Sequence, residues 1–137
     1  MTKPDHMPLL SPYLMSTDVD KAIDFYQKAF HFEPTEEIVP GEDGTTWHAA
    51  MRYRDQVIML GKTGAHSNIP SPAAKGGSES PVGLYMYVDD VNKFFQNAKA
   101  NGAKVIDEPN DAFWGDRVCR LKDPDGYIWS FATYLNT

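Results

Sequence analysis

The sequence predicts an α+β protein built from two tandem β-α-β-β-β modules, one over residues 8–62 and the other over 82–135. Three observations carry this prediction. Two amphipathic helices begin behind matching acidic caps, a displacement of 72 residues lays one half on the other, and a hairpin closes each half. At 137 residues the chain suits a single compact domain, 1–137, and is short for two independent ones.

The first module opens with a β-like run, Leu9–Met15. Val19, Ala22, Ile23, Tyr26 and Phe30 then fall on one helical face. Thr17 or Asp18 can cap that helix, and Thr17-x-x-Asp20 resembles a capping box with Asp in place of Glu. Residues 33–39 are a further strand, followed by a hairpin of Thr45–Tyr53, a turn at Arg54-Asp55, and Gln56–Leu60. The second module repeats the order. Val82–Val88 is a strand, and Val91, Phe94, Phe95 and Ala98 form a helical stripe behind Asp89-Asp90, stopped by Asn101-Gly102. Residues 105–107 and a hairpin of Arg117–Lys122 and Tyr127–Thr133 complete it, joined by Asp123-Pro124-Asp125-Gly126, in which Pro presets φ and Gly accepts positive φ.

The displacement carries Asp18, Val19 and Lys21 onto Asp90, Val91 and Lys93, and Tyr13 onto Tyr85. A repeat this long is a duplicated half-domain, since solenoids need shorter and more numerous repeats. Between the halves, residues 63–81 are rich in Gly, Ser, Pro and Ala and read as a linker or mobile loop. Such a segment could fold over a pocket, and a plain tether is the simpler alternative.

Composition removes several function classes. A hydrophobic fraction of 42% can supply a core and argues against global disorder. The net charge of −6, without a run of Lys and Arg, argues against nucleic acid and against an anionic membrane surface as partner. No apolar stretch approaches a membrane span, and residues 1–7 carry Lys3, Pro4, Asp5 and His6 where a signal peptide needs an apolar region, so the cytoplasm is the expected location. The single cysteine, Cys119, excludes an internal disulfide and a Cys-rich zinc site, and reads as a small buried hydrophobe.

Several motifs carry a family resemblance. Pro12-Tyr13-Leu14 followed by Ala22-Ile23-Asp24-Phe25-Tyr26 and Ala29-Phe30 resembles the opening of a glyoxalase/bleomycin-resistance protein of the vicinal oxygen chelate superfamily. Phe113-Trp114-Gly115-Asp116-Arg117, with Asp123-Pro124-Asp125-Gly126 and Trp129-Ser130-Phe131-Ala132-Thr133, is similar to its PhnB-like branch. The chain departs from that branch at Asp125-Gly126-Tyr127, where many members carry Phe-Gly-His. The resemblance implies paired modules whose strands curl into a mixed-sheet cup with the helices outside, and it implies a homodimer. It spans metal-dependent isomerases, dioxygenases and thiol transferases as well as metal-free proteins that sequester drugs, so the fold alone does not name the activity.

Enzymes of this superfamily hold a divalent ion through His and Glu on the first and last strands of each module. By resemblance those positions are Ser11, Met59, Gly83 and Ser130, and the repeat supports the pairing of Ser11 with Gly83 and of Met59 with Ser130. None is an imidazole, carboxylate or thiolate, so no metal or other cofactor is predicted, and a divalent ion would need a non-standard site. Of the four histidines, His6, His31 and His66 are expected in solvent. His48 lies within a strand, either as a pocket residue or as a hydrogen-bonded structural one.

Strand alternation from Met59 and Gly83 turns Ser11, Tyr13, His48, Tyr85, Tyr87, Ile128 and Ser130 toward the cup and leaves Trp129 and Phe131 in the core. Such a lining suits an organic ligand, unless the tyrosines simply fill the cup. Trp114 could stack on a planar ligand or pack under its loop. Arg117 could meet a ligand carboxylate or phosphate, or pair with a neighbouring carboxylate. The candidate ligand-binding residues are Tyr13, His48, Met59, Tyr85, Tyr87, Trp114, Arg117 and Ser130, with no residue assigned to catalysis. Three functions follow: a small-organic-molecule-binding protein with a sequestering or resistance-type role, a metal-dependent lyase, isomerase or dioxygenase with a non-standard site, and a metal-free enzyme using His48 or a tyrosine as acid or base.

Overall fold

The computed structural model describes residues 2–64, 70–73 and 80–135. Its elements are β1 (Tyr13–Ser16), α1 (Val19–Phe30), β2 (Glu33–Pro40), β3 (Thr46–Tyr53) and β4 (Gln56–Lys62), then β5 (Leu84–Tyr87), α2 (Val91–Ala100), β6 (Lys104–Asp111), β7 (Asp116–Lys122) and β8 (Ile128–Tyr134). They form two four-stranded mixed sheets, ordered β1-β4-β3-β2 and β5-β8-β7-β6, each with one helix in its module. The chain divides into two compact units, residues 1–27 with 31–71, and residues 28–30 with 72–137.

The repeat extends to the capping bonds. Asp18 and Asp90 are the helix N-caps, and their carboxylates accept the Lys21 and Lys93 backbone N–H groups at 3.1 Å each. Of the two cap candidates, Thr17 and Asp18, the N-cap is Asp18, and Asp20 accepts from the Thr46 backbone N–H and hydroxyl. Both hairpin turns fall where expected, the second through its glycine and the first through an arginine in the left-handed region. Arg54 takes φ 54° in the two-residue turn between Tyr53 and Gln56, and Gly126 takes φ 92° as its N–H donates to the Asp123 carbonyl.

In the first unit, Leu14, Ala49, Met51, Ile58 and Leu60 are buried together with Val19, Ala22 and Tyr26 of α1. In the second, Phe131 packs on Phe94 at 4.3 Å and on Phe30 at 4.7 Å between centroids, and stacks on Trp129. These four rings form the aromatic centre of that unit's core. The expected first strands are shorter than read: Leu9 and Leu10 are exposed, and pairing begins at Tyr13. The expected 105–107 strand is longer, spanning Lys104–Asp111 with two register shifts against β7.

Two further differences concern segments. The N-terminal stretch is not frayed. Arg52 Nη2 donates to the His6 carbonyl at 2.7 Å, and Met7 is buried with Ala50 and Val57, with Met59 packed against them. Within 63–81, residues 65–69 and 74–79 lie outside the described residues, His66 among them. The described part is anchored where Ala73 N–H donates to the Asp125 carbonyl at 2.8 Å, beside Gly126, whose missing Cβ leaves room for it. No helix among the described residues is long and apolar enough to cross a membrane.

Candidate functional site

Each sheet turns one face to its helix and presents a polar, aromatic face on the other side. In the first unit Tyr13 stands opposite Met59 on β4, Ala50 opposite Met59 on β3, and His48 opposite Gly61, so all share one face by alternation. His48 Nε2 meets Glu37 Oε2 at 2.8 Å, and His48 Nδ1 meets the Tyr13 hydroxyl at 3.0 Å. The rings of Tyr13 and His48 lie edge to face, 5.5 Å between centroids. Burial, and next the Glu37 charge, raise the Tyr13 hydroxyl above its usual range. Glu37 also borders a cleft of about 600 Å³ with His6, Glu33, Thr35 and Arg52.

In the second unit Tyr85 stands opposite Ser130, and Arg120 opposite Ser130. Asp116, only 1% exposed, gathers three donors on Oδ2: the hydroxyls of Tyr85 at 2.5 Å and Tyr87 at 2.8 Å, and Trp114 Nε1 at 3.0 Å. Those donors hold the Asp116 carboxyl below the ordinary range, Tyr85 first, against the opposing effect of burial. Burial and then the bond to Asp116 push Tyr85 up to about 12, while for Tyr87 the same bond comes first. The rings stay accessible: Tyr85, Tyr87 and Trp114 are 47%, 56% and 53% exposed, and Phe113 packs edge to face on Trp114. A cavity of about 420 Å³ opens beside them, lined by Tyr85, Trp114, Arg120, Ser130 and the end of β6 with Ala112 and Phe113.

Tyr13, His48 and Met59 thus come together on one sheet, and Tyr85, Tyr87, Trp114 and Ser130 on the other. With Tyr13 also 40% exposed, the three tyrosines do not act as core filler in the chain. Of the two readings of Arg117, the structure shows the pairing with a neighbouring carboxylate. Arg117 lies on the opposite face of β7, where Nε donates to Asn92 on α2 and Nη1 pairs with Asp111, because odd residues of this strand point to the helix. Cys119 shares that buried side, and burial pushes its thiol up to about 11. Glu37 and Gly61 were not singled out by the sequence, and Asp116 and Phe113 entered only as members of the 113–117 family motif. Counting back from the Asp-Pro-Asp-Gly turn would have placed Asp116 on the tyrosine face.

The four positions assigned by resemblance to a metal do not fit a divalent ion. Ser11 Oγ is buried without a hydrogen-bond partner, but Met59, Gly83 and Ser130 add a thioether, no side chain and a second neutral hydroxyl. Among the described residues no three His, Cys, Asp or Glu converge as a metal-binding group.

Comparison with known proteins gives a consistent outcome. The profile of the Glyoxalase/Bleomycin resistance protein/Dioxygenase superfamily matches residues 5–131. An uncharacterized protein of Mycobacterium bovis is 38% identical over 131 residues, covering 90% of this chain and 81% of the relative. An uncharacterized protein of Mycobacterium tuberculosis H37Rv is equally similar, with 72% of its length covered. Among solved structures, TioX from Micromonospora sp. ML1 superposes with a TM-score of 0.73 at 25% identity, covering 96% of this chain and all of that one. A glyoxalase/bleomycin resistance protein/dioxygenase family enzyme from Burkholderia phytofirmans PsJN has a TM-score of 0.69 at 20% identity, covering 90% and 95%, which shows the shared fold.

Proposed function

The chain belongs to the Glyoxalase/Bleomycin resistance protein/Dioxygenase superfamily, and on that footing we propose that it binds a small organic molecule without a metal ion, in a sequestering or resistance-type role. The observation that carries this reading is the second unit's face, where one buried carboxylate pins three half-exposed aromatic side chains beside a cavity. Pinning removes rotamer freedom before the ligand arrives, so less of the stacking energy is lost to ordering. A planar ligand would lie against Trp114 and Tyr85 with its polar edge toward Ser130 and Arg120. We further propose a cytoplasmic location, and a homodimer as the resemblance implies.

The test is a thermal-shift and calorimetric screen with planar aromatic probes of different charge: 1-naphthol, 1-naphthoate and acridine orange. At least one is expected to raise Tm in proportion to its saturation, and Trp114→Ala should weaken that probe about tenfold. No stabilisation by any probe, together with one equivalent of metal by elemental analysis, would replace this reading with the metal-dependent lyase, isomerase or dioxygenase.

A further inference from the structure

We propose that the Tyr13–His48–Glu37 face of the first unit is a metal-free proton-transfer site that interconverts keto and enol forms of small enolisable carbonyl compounds. This goes beyond the binding reading and uses residues of the first unit only. Three strands deliver the chain of groups: Tyr13 from β1, His48 from β3 and Glu37 from β2. A carboxylate can only accept, so in the neutral imidazole tautomer that donates from Nε2 to Glu37, Nδ1 is left to accept from the Tyr13 hydroxyl. The polar chain therefore runs from a part-exposed carboxylate, its side chain 33% exposed, through an imidazole whose side chain is 19% exposed, to an accessible phenol.

A separate observation indicates that this contact is built. Gly61 lies beneath the Tyr13 ring, and a Cβ there would come within 2.6 Å of Tyr13 Cε1 and 2.9 Å of its hydroxyl. Glycine inside a strand weakens it and often marks a close approach; here it lets the phenol cross β4 to His48. A pin between strands would not need this, since the β1–β4 and β3–β4 ladders already hold them. Beside Tyr13 the floor is apolar, with Met59 packed on Met7, Ala50 and Val57. The face carries no thiol, so what it offers is proton transfer.

The step balances without a co-reactant. Tyr13 Oη takes the proton from the carbon beside the ligand carbonyl as its own proton passes to His48 Nδ1. The C–H electron pair becomes the enolate C=C bond, the carbonyl π pair moves to oxygen, and the imidazolium is held against Glu37. Return of the proton from Nδ1 through Tyr13 to the enolate oxygen gives the enol and restores both side chains. Tyr13 and His48 are the catalytic residues, and Glu37 and Gly61 are positioning residues.

The experiment follows deuterium exchange at C3 of phenylpyruvate in D2O by proton NMR, with the full chain, and compares it with free imidazole at equal concentration. Saturable exchange is expected, falling about 100-fold in kcat in Tyr13→Phe and in His48→Gln. Glu37→Gln should lower kcat while KM stays, and Gly61→Ala should lose the rate with an unchanged circular dichroism spectrum and melting curve, because the tyrosine ring yields to the new methyl. Exchange no faster than imidazole, or a rate that Tyr13→Phe and His48→Gln leave within about twofold in folded protein, overturns the proposal.

Discussion

In the first unit Tyr13 faces Met59 and crosses Gly61 to reach His48; in the second, Tyr85 faces Ser130 and turns to Asp116 instead. The register explains much of this divergence. Gly61 pairs with His48, and the matching position in the second sheet is Ala132, paired with Val118. An alanine there carries the Cβ that position 61 lacks, and a valine stands where the first sheet has its imidazole. The second tyrosine thus has neither the space nor the partner to repeat the first one's contact. A buried carboxylate at the end of β7 takes its hydroxyl, along with those of Tyr87 and Trp114 Nε1. One duplicated scaffold so carries a proton-passing chain on one sheet and a rigid aromatic platform on the other, through differences at a few facing positions.

Removing the platform's anchor should have the largest effect. Asp116→Asn replaces the charged oxygen that accepts all three bonds with a neutral amide oxygen, a weaker acceptor, and removes the charge assistance. Near-UV circular dichroism should lose intensity, Tm should fall, and affinity for an aromatic probe should drop about tenfold or more as three side chains regain their rotamers. Tyr85→Phe, which removes one donor of the three, should produce the same signature at lower amplitude. If Asp116→Asn binds the probe as tightly as the parent, the platform is not preorganised by its carboxylate.

Exchanging the two small residues sharpens the contrast. Ala132→Gly should cost about 1 kcal/mol in chemical denaturation, the usual expense of glycine in a strand. It should leave Tyr85 in place, because Asp116 holds that hydroxyl. Gly61→Ala should do the reverse, leaving stability nearly intact and moving Tyr13. A Tyr85 that swings toward Val118 in Ala132→Gly would show that the missing space, and not the carboxylate, sets its direction.

Both helices with their aspartate caps and the second hairpin were legible because each rests on local chemistry, a carboxylate three residues before a backbone N–H or a glycine at positive φ; the first hairpin, which turns at Arg54-Asp55 without a glycine, was legible from the strand-like runs on either side. So was the common face of Tyr13 and Met59 in one sheet and of Tyr85 and Ser130 in the other, since alternation from Met59 and Gly83 needs no knowledge of neighbours. The groups that organise the two faces were harder to read. Glu37 lies in β2, whose register against β3 shifts between Pro34 and Ile38, and a bulge defeats period-two counting. Asp116 sits beside Arg117 in sequence, which suggests an ion pair, yet the two side chains leave opposite faces of β7 and Arg117 pairs with Asp111. Met7 was hidden by its place near the chain start, where burial depends on a long-range bond from Arg52.

The smallest expected effect, and the most direct comparison of the two tyrosines, is in their titration. Both Tyr13 and Tyr85 are raised first by burial and second by a carboxylate, which is remote Glu37 for one and hydrogen-bonded Asp116 for the other. Because Tyr85 moves from 10.0 to about 12, its contribution to stability is complete below pH 10.0 and is lost as pH rises through about 12. Asp116 acts in the opposite sense: its lowered value contributes stability above pH 3.8 that is lost as pH falls through the native value. Asp116→Asn should therefore remove the acid-side loss but only narrow the alkaline one, since burial of Tyr85 persists. Tyrosinate absorbance followed against pH should shift to lower pH in Asp116→Asn by more than in Glu37→Gln. Equal shifts would mean that the direct hydrogen bond adds nothing to what a carboxylate does across an intervening histidine.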